Sequence, residues 1–90
     1  MEMMTESEDF NRMRWASRRG LLELDLLLAP FVDACYRDLA EEDKRIFRRL
    51  VTCEDQDLMN WIMGREPVDD PELASSVALI RAHNRAKLNP

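Results

Sequence analysis

Trp15-Ala16-Ser17-Arg18-Arg19-Gly20-Leu21-Leu22-Glu23-Leu24-Asp25 is the stretch on which the fold turns. One of the chain's two glycines stands here between an arginine pair and a run of leucines. Glycine enters the left-handed region without steric cost, and many helices end on it. The stretch therefore reads as a corner: one helix ends at Gly20 and the next begins at Leu21. Arg18 and Arg19 would face the negative end of the first helix dipole, and Glu23 would sit in the first turn of the second.

Working outward, apolar spacing is helical nearly throughout, and no segment alternates at period two for long enough to suggest a sheet. The first helix starts after Thr5 or Ser7, where Thr5-Glu6-Ser7-Glu8 has the form of a capping box. The second covers roughly 21–39, with Leu21, Leu24, Leu28, Val32, Cys35 and Leu39 on one stripe. Leu22, Leu26, Ala29 and Tyr36 widen that stripe, which predicts a helix packed on more than one side. Pro30 inside it predicts a kink or break near 27–30. A third helix begins at Glu41-Glu42-Asp43 behind Ala40, a poor cap. It turns Ile46, Phe47, Leu50 and Val51 inward and Lys44, Arg45, Arg48 and Arg49 outward. A short fourth helix, capped by Asp55 or Asp57, carries Leu58, Trp61 and Ile62 and ends at Gly64. Asp70-Pro71-Glu72 opens a fifth, with Leu73, Val77 and Ile80 on its core face. The fold class is all-α: a compact single domain, residues 1–90, of about five short helices, with 1–6 and 86–90 flexible.

Ninety residues leave no room for a second core. Apolar residues make up 46% and charged residues 34%, a balance that suits a globular domain. No apolar run approaches the roughly 20 residues of a membrane span, and the acidic start MEMMTESED resembles neither a secretory signal nor a mitochondrial presequence. The expected compartment is the cytoplasm, with no membrane insertion. A net charge of −5 argues against nucleic acid as a partner. Cys35 and Cys53 fall on apolar stripes and read as reduced, buried thiols. With His83, which reads as a solvated helix residue, they give no four-ligand zinc set. Glu23 and Asp25 are two apart and share no helix face, and no P-loop, GxGxxG or HExxH occurs. The chain reads as no enzyme.

What remains is binding. Two arginines and two acids at a helix corner form a rigid polar patch, and Trp15, with Met13, could supply an apolar centre, although Trp15 could equally be core. The order Arg12-x-x-Trp15-Ala16-x-Arg18-Arg19-Gly20-x-x-Glu23-Leu24-Asp25, then Pro30-Phe31, then Lys44-Arg45-x-Phe47-x-x-Leu50-x-x-Cys53, then Asp57-Leu58-x-x-Trp61, resembles the SdhE family of FAD assembly factors. The resemblance runs from about Arg12 to Asn84. It implies a five-helix protein that promotes covalent flavinylation of the succinate dehydrogenase flavoprotein subunit and, for some bacterial members, of the related fumarate reductase subunit. It implies that the RGxxE motif, here Arg19-Gly20-Leu21-Leu22-Glu23, lies on the surface that meets the flavoprotein. Gly20 would set the corner, from which Arg19 and Glu23 project. Asp25, Arg12 and Trp15 would join that surface or support it from behind. The helper would be a monomer without a cofactor of its own, since FAD is joined to the partner. The rival reading is a small helical interaction module of another kind, such as an antitoxin-like binder.

Overall fold

Thr5 caps the first helix as its spacing predicts. In the computed structural model, which describes residues 5–88, its Oγ1 accepts from the Glu8 amide at 3.1 Å and donates to Glu8 Oε1 at 3.0 Å. Helix α1 (Glu6–Ala16) buries Phe10 and Met13, so Met13 belongs to the core and not to a surface. Thr5 and Glu6 form the cap and first residue of α1, and residues 86–88 lie within the last helix. The rest of the two ends expected to be flexible, 1–4 and 89–90, lies outside the described residues.

α1 stops earlier than Gly20. Buried Ser17 closes it, the amide donating to the Met13 carbonyl at 2.9 Å and Oγ to the Arg14 carbonyl at 2.8 Å. A serine that bonds back to the helix carbonyls competes with the next turn and ends the run. Gly20 does adopt a positive φ, +83°, but in the link between helices instead of at the end of α1.

α2 (Leu22–Cys35) passes through Pro30 unbroken. Proline in a helix costs about 3 kcal/mol. Phe31 and Val32, the next two residues, are both buried, and each such side chain contributes about 1.5–3 kcal/mol. Core burial therefore outweighs the break, which comes instead at Cys35, where φ is −121° and a 3₁₀ turn (Tyr36–Asp38) begins. The expectation that Leu22 and Leu26 widen the buried stripe is corrected. α1, α4 and α5 all pack on α2, over Leu24, Leu28, Phe31 and Val32 and with Leu27 partly buried beside them, but Leu22 and Leu26 stand open at 74% and 61% exposure.

α3 (Glu41–Leu50) follows Ala40, which makes no side-chain cap bond. It buries Ile46, Phe47 and Leu50 as expected. Lys44 corrects the expected pattern: only 6% exposed, it folds over the Tyr36 ring with its ammonium 3.6 Å from Glu41 and 3.9 Å from Glu6. A lysine stem packs as an apolar chain while its charge reaches an acid at the edge.

α4 (Asp55–Ile62) has Glu54 at its cap position, so neither Asp55 nor Asp57 caps it. It ends at Gly64 (φ +75°), where the Gly64 amide meets the Trp61 carbonyl at 3.1 Å and the Arg65 amide meets the Asn60 carbonyl at 2.8 Å, the paired bonds of a Schellman close.

α5 (Pro71–Leu88) opens on Asp70, whose Oδ1 accepts from the Glu72 and Leu73 amides at 2.9 and 3.2 Å. It packs Leu73, Val77 and Ile80 against α2, α3 and α4. His83 is not solvated as expected: its ring stands edge-on to Phe31 at 5.8 Å, with Nδ1 buried and without a hydrogen-bond partner. Five helices and no strand make up the described residues.

Candidate functional site

Arg19 decides how the corner is built. Its guanidinium does not project, as the family resemblance implied, but turns inward and is 17% exposed. Nε donates to Asp55 Oδ1 at 2.7 Å, Nη1 to the carbonyls of Ala16 (2.9 Å) and Val51 (2.7 Å), and Nη2 to the Cys53 carbonyl at 2.8 Å. One side chain thus ties the end of α1, the end of α3 and the start of α4 together. Only the five-donor fork of arginine can serve so many acceptors at once. Asp25 completes the arrangement from behind: its Oδ1 accepts the Arg19 amide at 2.6 Å. The link 17–21 is therefore held at both its side chain and its backbone.

What this frame presents is the other half of the motif. Gly20 is exposed, and a Cβ built on it would meet nothing within 4 Å. Glu23 is exposed and carries no ion pair among the described residues. Beside it stand Leu21 (46% exposed), Leu22 and Leu26. Leu22 and Leu26, four apart, are neighbours on the helix surface. Trp15 is not core: at 77% exposure it is the most open large apolar side chain among the described residues, and with Asn11, Arg14 and Arg18 it borders a shallow recess. Open leucines beside an unpaired glutamate form the kind of patch that marks a protein contact, and open Trp15 adds a second exposed apolar side chain near the same corner in sequence. A second groove runs from Leu21, Leu22 and Glu23 to Gln56, Met59 and Arg65.

Arg12 is not brought to this corner. It is exposed and lines a recess with Asp9, Glu41, Lys44 and Arg48. Leu22, Leu26 and the bracing Asp55 are the residues that sequence reasoning missed. The i, i+4 pair beside Glu23 was a visible signal for the leucines; Asp55 left none.

Reactive chemistry is sparse. Burial, the largest influence on both, pushes the Cys35 and Cys53 thiols up from their usual value, which disfavours the nucleophilic thiolate. Among the described residues no cluster of histidine, cysteine or acids could hold a metal ion, and no helix is long and apolar enough to cross a membrane.

Comparison with known proteins bears on the chain as a whole. A family model described as "Flavinator of succinate dehydrogenase" matches residues 11–84. The FAD assembly factor SdhE of Idiomarina loihiensis is 54% identical over 70 residues, 78% of this chain and 78% of its own. That of Shewanella oneidensis is 53% identical over 81 residues, 90% of this chain and 94% of its own. A solution structure of a UPF0350 protein matches with a TM-score of 0.76 at 40% identity, over 96% of this chain and 90% of that one.

Proposed function

Since the chain belongs to the family of flavinators of succinate dehydrogenase, we propose that it docks through its α1–α2 corner on the flavoprotein subunit of that enzyme and promotes covalent attachment of FAD there. The related fumarate reductase flavoprotein is the second client in this reading. The observation that carries it is the division of labour within RGxxE. Arg19 is spent on holding the corner, which leaves Gly20 and Glu23, with Leu22, Leu26 and Trp15, presented on a rigid support.

The helper acts by binding and not by chemistry of its own. Joining a flavin to a protein side chain is work of the flavin and its host. Here the thiols are pushed up by burial and the one histidine has a buried, unpartnered nitrogen. The chain holds no FAD of its own and works as a monomer in the cytoplasm. It favours the arrangement of the flavoprotein in which FAD and its acceptor side chain are aligned. Alignment of reacting groups is worth up to roughly 7–11 kcal/mol in favourable intramolecular systems.

The test is co-expression of the flavoprotein subunit with the wild-type chain, with Gly20→Arg, or with neither, reading flavin fluorescence that stays with the flavoprotein band on a denaturing gel. Wild type raises the covalent flavin and folded Gly20→Arg does not. Equal fluorescence in all three lanes would overturn the assignment.

A further inference from the structure

We infer that the partner is received in a cleft between the α1–α2 corner and α4, by a segment that seats an apolar side chain between a basic residue facing Glu23 and an acidic residue facing Arg65. The inference rests on the docking reading above and adds a second wall to it, one that lies outside the RGxxE motif.

Leu21, Leu22 and Glu23 form one wall of this cleft, and Gln56, Met59 and Arg65 the other, around a volume of about 410 Å³. Its apolar strip consists of two exposed leucines and half-buried Met59, whose inner part packs on the core. Methionine adapts its shape to an incoming side chain. The charges at its edges are of opposite sign, yet neither Glu23 nor Arg65 is in an ion pair among the described residues. Several arginines elsewhere on the molecule are already committed: Arg14 to Asp33, Arg45 to Glu42 and Glu72, and Arg49 to Asp70 and Glu72. Unlike charges that border one groove without closing on each other remain available to a chain laid between them.

Both walls are fixed before any partner arrives. The Arg65 amide is held by the Asn60 carbonyl where α4 closes, and Gln56 Nε2 donates to Asn60 Oδ1 at 3.1 Å. The Arg19–Asp55 bond joins the corner to the first residue of α4, so it sets the distance between the walls. Such preorganisation spares the ordering cost of binding. A protein segment fits better than FAD itself, because a pyrophosphate laid in the cleft would meet Glu23 as well as Arg65.

The test is calorimetric titration of purified flavoprotein subunit with wild type, Arg65→Glu, Met59→Asp and Gly20→Arg, alongside thermal unfolding of each. Arg65→Glu, a change at an exposed side chain, should weaken binding about tenfold or more at unchanged Tm, with an effect that shrinks as salt is raised. Met59→Asp should weaken it at every salt concentration. If both bind as wild type while Gly20→Arg does not bind, the cleft is wrong and the docking reading stands. Wild-type affinity in Gly20→Arg removes both. Binding of FAD alone to the helper in an Arg65-dependent way would overturn the protein segment as occupant, as would a dimer of the helper that Arg65→Glu dissociates.

Discussion

Arg19 Nε donates to Asp55 Oδ1 at 2.7 Å, across 36 residues of chain. The bond links the turn after α1 to the first residue of α4, and the other arms of the same guanidinium take carbonyls from both sides of that junction. Because Arg19 is largely shielded from water, these charge-assisted bonds keep more of their strength than surface ion pairs do. The arginine of the motif is therefore a brace, and its glycine and glutamate are what the brace displays.

Removing the brace should be felt in stability first. Arg19→Ala leaves the Val51 and Cys53 carbonyls without their donor and should cost about 2–3 kcal/mol. Arg19→Lys should recover little of it, since an ammonium lacks the planar fork. Asp55→Ala should cost less, about 1 kcal/mol, because Asp55 is 36% exposed and the arginine keeps its carbonyl partners. Urea unfolding of the three variants measures the order; equal stability of Arg19→Ala and wild type would remove the brace from the account.

At Gly20 two effects can be separated. A non-glycine residue at φ +83° is strained by roughly 1–2 kcal/mol whatever its size, while the surrounding space is open. Gly20→Ala and Gly20→Arg should therefore unfold at similar, slightly lowered temperatures. Only the arginine variant should lose flavinylation, because only it places a long chain on the contact surface. Similar loss in both would assign the effect to backbone strain.

The features legible in the sequence are those settled within a few residues: the Thr5 box, the Asp70-Pro71 start, the Gly64 stop, the positive φ of Gly20. Features decided by distant packing were not. Pro30 signals a break, but the burial of Phe31 and Val32 holds the helix together. Periodicity groups Leu22 and Leu26 on a face without saying whether another helix covers it, and here none does. Trp15 could be core or contact by composition alone, and the fold leaves it open. Arg19 points inward because residues 51–55 supply three acceptors there, beside the Ala16 carbonyl, and nothing near position 19 in the chain announces those three.

Trp15, Leu22 and Leu26 should be nearly silent in stability and loud in binding. Exposed substitutions usually fall within about 0.5 kcal/mol of wild type, so each alanine variant should unfold with it. Against the flavoprotein, Trp15→Ala should cost about 2 kcal/mol or more if the indole is buried on docking. Emission from Trp15, isolated in a Trp61→Phe background, should shift to the blue when the partner is added. An unmoved spectrum with tight binding would place Trp15 outside the interface.

Tyr36 makes stability fall at high pH. Its ring lies in the core and its hydroxyl donates to Asp9 Oδ2 at 2.6 Å, with Arg48 Nη1 3.2 Å away. Burial first, and the bond to Asp9 second, push its pKa well above the usual phenol value near 10. A raised folded pKa means that the native state holds the proton longer than the unfolded chain does. The contribution is complete below about pH 10 and is lost as pH rises from there toward the folded value. Tyr36→Phe should be less stable than wild type at neutral pH by about 1 kcal/mol, the worth of the lost hydrogen bond, with Asp9 still held by Arg48 at 3.1 Å. Cys35 and Cys53, also pushed up by burial, titrate with the same sign in both proteins and cancel in the comparison. The gap between the two unfolding curves should therefore narrow as pH is raised above 10. A gap that stays constant across that range would mean that the phenol titrates alike in the folded and unfolded chains.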